Sequence, residues 1–182
     1  LDFQAYGTAL SAEEIQDCNN PYDSFALHKA ALIACGIIPQ HGSVNLQDIL
    51  RRLGGGIYIS TRVCNVPKGS GLGTSSILAG AAVKAIGEFL GEDWSDSVLY
   101  QRVLNLEQIM STGGGWQDQV GGLTPGVKYI TTKPGMKQEI KVEHMELDEA
   151  TKAELQERFA LIYTGQRRLA RNLLRYVVGG YI

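Results

Sequence analysis

Apolar positions fall at helical spacing through much of the chain, broken by shorter β-branched and aromatic runs. Phe25, Leu27, Ala31, Leu32 and Ala34 predict a helix over 23–35, which Gly36 ends. Residues 45–53 predict a second short helix with Asn45 as its cap, and Gly54, Gly55 and Gly56 break it. The run GIYISTRVCN over 56–65 predicts a strand. The longest helix is expected over 74–90; its apolar residues lie nearly all round, which predicts central burial. Another helix begins at 93–96, with Ser95 or Asp96 as cap, and Leu99, Val103, Leu106 and Met110 form one apolar face. Residues 127–131 and 138–142 predict a hairpin turning at Lys133-Pro134-Gly135. Charged residues 148–158 read as a helix or linker, 159–165 as a buried strand, and 166–174 as the opening of a basic helix. Residues 1–20 are mixed, and no internal repeat is evident.

Composition adds mainly exclusions. The 182 residues are 44% apolar and 20% charged with net charge −2, an ordinary globular profile with no basic surplus for nucleic acid or an anionic membrane. No apolar run approaches the length of a membrane span. Cys18, Cys35 and Cys64 are scattered without metal or disulfide spacing, which fits a reducing cytoplasm. The chain lacks an initiator Met and stops just after a helical run, so it is expected to be a piece of a larger protein.

The chemistry concentrates where strand and long helix meet, in V-P-K-G-S-G-L-G-T-S-S over 66–76. Gly69, Gly71 and Gly73 allow positive φ or close approach of a ligand. A glycine turn opening a helix gathers unpaired N–H groups and the positive end of the dipole, a site for a phosphate chain. Spacing excludes a Walker A loop, because no lysine precedes the hydroxyls, and a G-x-G-x-x-G fingerprint, because Thr74 holds the last position. A G-x-S-x-G elbow also fails for want of its second glycine. The plain alternative is a turn that merely joins two elements.

Two acids stand out downstream. Glu107 borders the apolar face of its helix, where a carboxylate is costly unless paired, for instance with Arg102, or bound to a metal. Asp118 stands alone among glycines in T-G-G-G-W-Q-D-Q-V-G-G, either as a functional acid in a glycine-rich loop or as an Asx-type turn residue.

The motif P-x-x-x-G-L-G-[ST]-S resembles the phosphate loop of the GHMP kinases (galactokinase, homoserine, mevalonate and phosphomevalonate kinases). In that superfamily the second hydroxyl after G-L-G and a helical glutamate hold Mg²⁺. An aspartate eleven residues beyond that glutamate acts as base in several members. Ser75, Glu107 and Asp118 match those positions. G-S-G-L-G-T-S-S-I-L-A, T-G-G-G-W-Q-D-Q and Y-T-G-x-x-R-L-A-R-N-L-L look most like the fucose-kinase branch, with heptose-phosphate kinases as nearest rival and galactokinase-like enzymes further off.

The resemblance implies an α/β (α+β) GHMP kinase architecture. Residues 1–150 would form an N-terminal domain of the ribosomal-protein-S5-domain-2-like type lacking its first motif, and 151–182 the start of a truncated C-terminal α+β domain. It implies ATP and Mg²⁺ as cofactors, a small sugar as substrate, and phosphorylation of the anomeric hydroxyl of L-fucose. Pro67, Lys68, Gly69, Ser70, Gly71, Leu72, Gly73, Thr74, Ser75 and Ser76 would cradle phosphates. Ser75 and Glu107 would hold the metal, Asp118 would be the base, and Trp116, Gln117 and Arg168 would contact substrate. The missing first motif and C-terminal glycine-rich motif imply that the segment alone is inactive. A sensor that binds sugar and ATP without turnover, and fusion to a nucleotidyltransferase, remain the alternatives.

Overall fold

The computed structural model describes residues 5–20, 22–66, 70–110, 115–135, 139–162 and 180. Its elements are α1 (Ala12–Gln16), α2 (Ala26–Ala34), α3 (Leu46–Leu53), α4 (Thr74–Phe89), α5 (Asp96–Ile109), α6 (Gln117–Leu123), β1 (Lys128–Thr132), β2 (Ile140–His144) and α7 (Glu149–Arg158). The result is a mixed helical domain with one small antiparallel sheet.

Helices α2, α4 and α5 pack on one another, and α6 lies against α4 and α5. Ala30, Ala31, Val83, Val103 and Leu106 are fully buried in the core that α2, α4 and α5 share. Full burial of a Val or Leu side chain contributes about 1.5–3 kcal/mol, so this seam fixes the relative positions of α4 and α5. The expected apolar face of α5 is real: Val103 and Leu106 are enclosed, and Leu99 and Met110 pack at its margin.

Small residues let α6 approach α4 closely. A Cβ added at Gly122 would stand 2.6 Å from Ile77 Cγ1, and one added at Gly80 would collide with Leu123. At its far end, Tyr100 Oη and Thr124 Oγ1 share a hydrogen bond, and Lys128 Nζ donates to Thr124 O. These contacts tie α6 to α5 and to the hairpin. β1 and β2 pair antiparallel, with Ile130 opposite Val142, and β2 ends at His144, two residues beyond the expected return strand.

Local signals set several boundaries. Asn45 accepts from Gln47 N to cap α3, and Gly54 ends it with φ of 77°. Ser11 caps α1 by accepting from Glu14 N, and Glu14 reaches back past the cap to accept from Leu10 N. Helix α2 begins three residues later than expected, after Asp23 has turned back to accept from Phe25 N.

Four expectations need correction. Residues 56–65 do not form a strand, and Asn65 at their end is left-handed with φ of 60°. Ile57, Ile59 and Thr61 are half-buried while Tyr58, Ser60 and Arg62 are exposed, so the strand-like alternation persists. A strand also needs a neighbouring edge to bond, and none lies beside it among the described residues. Residues 159–162 are not a buried strand: Phe159 is 76% and Ile162 84% exposed, with no element covering them among the described residues. Residues 117–123 are helical rather than a loop. Helix α4 is one-sided, with Ile77 and Phe89 exposed. The remaining strand residues 163–165 and the basic run 166–174 lie outside the described residues. Among the described residues no helix is long and apolar enough to cross a membrane.

Candidate active site

The site gathers where the first turns of α4 and α6 meet the buried side of α5. Gly73 is the N-cap of α4 in a left-handed conformation with φ of 64°, and Gly71 has φ of 78°. The positive φ expected of these two glycines is therefore present. No side-chain hydrogen bond caps the first turn of α4, so it presents the uncapped amides of a helix start. Beside it, Ser70 Oγ is shielded and has no hydrogen-bond partner among the described residues. Pro67, Lys68 and Gly69 lie outside those residues, as does Arg168; Leu72 is exposed and Thr74 half-buried.

Ser75 and Ser76 diverge because successive helical residues point about 100° apart. Ser75 is exposed. Ser76 is 5% exposed and donates from Oγ to Glu107 Oε1 at 2.5 Å. Helical spacing sets Ser76 in line with Gly80 and Val83 on the inner face of α4.

Glu107 is 9% exposed on α5, flanked by fully buried Val103 and Leu106. Burial pushes its carboxyl above the usual glutamate range; the Ser76 hydroxyl and the Gln119 amide oppose that shift, and the nearby charge of Asp118 reinforces it. Gln119 is 1% exposed, yet its Oε1 and Nε2 have no hydrogen bond of ordinary geometry among the described residues. Arg102 donates from Nη1 to Ala34 O at 2.6 Å and lies 4.0 Å over the Trp94 ring.

Asp118 and Gln117 occupy the exposed first turn of α6, and Trp116, half-buried, is its N-cap. The fold thus brings Ser76, Glu107, Asp118 and Gln119 together, with Ser75 next in the chain to Ser76. Among the described residues no cluster of three or more His, Cys, Asp or Glu is placed to hold a metal ion. Ser76 and Gln119 as partners of Glu107 went unread in the sequence, although helical spacing from Val83 signalled that Ser76 faces inward.

Residues 43–125 match the family described as GHMP kinases N terminal domain. Those residues are thus similar to the N-terminal domain of the GHMP kinases. The chain carries a likeness to curated relatives well beyond them. It is 40% identical over 179 residues to a "Bifunctional fucokinase/GDP-fucose pyrophosphorylase" of Arabidopsis thaliana, covering 97% of this chain and 16% of that protein. It is 38% identical over 181 residues to an "L-fucokinase/L-fucose-1-P guanylyltransferase" of Bacteroides fragilis, covering 98% of this chain and 19% of that protein. The chain thus spans less than a fifth of the length of either relative. No solved structure matches it. In GHMP kinase terms, the matched segment runs from the cap of α3 through the glycine turn and α4 to the end of α6.

Proposed function

We infer that the protein carrying this chain transfers the γ-phosphoryl group of ATP to the anomeric hydroxyl of L-fucose, giving fucose 1-phosphate. The observation that carries this reading is the joining of α4 and α6 at Glu107, since their first turns bear Ser75 and Asp118. Likeness to two proteins named as fucokinases, over nearly all of this chain, supports fucose as the acceptor. The finer architecture belongs to the same proposal: an S5-domain-2-like N-terminal domain over 1–150 and the start of a C-terminal domain from 151.

Phosphoryl transfer asks for positioning and charge neutralisation more than covalent chemistry. The glycine turn and the first amides of α4 hold the β- and γ-phosphates, with Ser70 Oγ as a further donor. Ser75 and Glu107 offer oxygen donors only, one of them a buried carboxylate, which suits a hard dication that takes its other ligands from phosphate and water. Mg²⁺ bound there would neutralise the phosphate charge. Asp118 orients the sugar hydroxyl and accepts its proton as the new O–P bond forms and the bond to ADP breaks. Trp116 stacks on the sugar, with Gln117 and Arg168 as further contacts.

The test is ATP-dependent phosphorylation by the full-length protein of L-fucose, D-galactose, heptose 7-phosphate and mevalonate. Turnover confined to fucose supports the assignment. Turnover only on the heptose or galactose overturns the substrate, and nucleotide binding without turnover on any sugar overturns the kinase in favour of a sensor.

A further inference from the structure

The first turns of α4 and α6 are built alike. In each, the second residue is exposed (Ser75, Asp118) and the third is buried (Ser76, Gln119). Both buried residues lie against one carboxylate, Glu107 on α5. The two helices also touch directly, through Gly122 against Ile77 and Gly80 against Leu123.

We propose that Ser76 and Gln119 are positioning residues that clamp Glu107 between the two helix starts and so fix the geometry of the cation site. This rests on the reading of Glu107 as a cation ligand. The Ser76 hydroxyl engages Oε1, which fixes the plane of the carboxylate and ties it to the turn that carries Ser75. Gln119 supplies an amide on the other helix. A carboxamide enclosed without a regular hydrogen bond is costly, and an apolar residue of similar size would avoid that cost. Its Nε2–H groups are suited to donate to the carboxylate once ligands settle the site, since hydrogen bonds in unliganded sites are often long and tighten on binding. Because each clamp residue adjoins a residue proposed to do chemistry, one carboxylate sets the spacing of Ser75 and Asp118. Outer-shell partners of metal ligands commonly tune affinity in this way.

The experiment titrates Mn²⁺ into the full-length protein with ADP present, read by electron paramagnetic resonance, for wild type, Ser76→Ala, Gln119→Leu and Glu107→Gln. Metal-free nucleotide affinity and the KM–kcat split are measured alongside. The clamp predicts that Ser76→Ala and Gln119→Leu each weaken Mn²⁺ binding by about tenfold or more, leave metal-free ADP affinity within about twofold, and recover kcat at high metal. A purely structural role would not produce that selective metal defect. Wild-type Mn²⁺ affinity in both variants, with Glu107→Gln defective, overturns the clamp alone. Wild-type affinity in Glu107→Gln overturns the clamp together with the ligand reading beneath it. Two clamp variants are used so that one decides if the other does not fold.

Discussion

Glu107 is placed for chemistry at a cost to stability, and Glu107→Gln separates the two. The substitution keeps size and an acceptor oxygen, so the Ser76 hydrogen bond survives as a neutral one, a loss of about 1 kcal/mol. Against that, it removes a charge that is 9% exposed among apolar neighbours, where the penalty can reach several kcal/mol per ion. The net expectation at pH 8, without divalent cation, is a variant as stable as wild type or up to about 2 kcal/mol more stable.

The sign with pH follows from the carboxyl being raised above its ordinary value near 4.5. The unfolded chain ionises first as pH rises, so wild type loses stability from about that pH upward, until the folded carboxyl has also ionised. The glutamine variant lacks this loss, and its advantage should grow across that window and then level off. Urea denaturation at several pH values, followed by Trp94 and Trp116 fluorescence, measures it. Glu107→Leu serves as contrast, since it strands the Ser76 hydroxyl at about 1–3 kcal/mol. A glutamine variant more than about 1 kcal/mol less stable than wild type at pH 8, or a difference constant with pH, would refute the reasoning.

Three further expectations are simpler. Leu106→Ala, at a fully buried core position, should cost about 2–5 kcal/mol in denaturant titration; a cost below about 1 kcal/mol would mean that the core collapses around the gap. Thiol labelling at pH 8 should modify exposed Cys64 first, while Cys35, buried and pushed up to about 11, stays unmodified until the protein unfolds. His28, half-buried with Nε2 2.8 Å from Thr61 Oγ1, has its pKa lowered by burial against a partial opposing pull from Asp23. Its contribution to stability should therefore fall as pH drops below the ordinary histidine value, and His28→Gln should flatten the stability loss that begins below about pH 6.5.

Helices were the legible part of the sequence, because a helix makes its own hydrogen bonds and its signals are local. The cap at Asn45, the stripe on α5 and the start of α4 at Thr74 all stand where the pattern put them. The run at 56–65 carries an equally clear alternation, but a strand is completed by residues distant in sequence, which no local pattern supplies. Helix α1 went unread within the mixed residues 1–20, because it is only five residues long. At the site, Glu107 was visible as a carboxylate beside an apolar stripe. Its partners Ser76 and Gln119 were hidden by their neighbours Ser75 and Asp118, which carry the recognisable motif. Glycines 121 and 122 read as a loop, whereas Gly122 lets a helix press against Ile77.

The central claim is that Asp118, presented by α6 beside the phosphate turn, takes the proton in a phosphoryl transfer. Its most direct test compares wild type and Asp118→Asn in the full-length protein, with single-turnover phosphorylation of L-fucose and ATP affinity measured on the same samples. Transfer slowed by about 10²-fold or more with ATP affinity within about threefold is the predicted result. Transfer at the wild-type rate would contradict it.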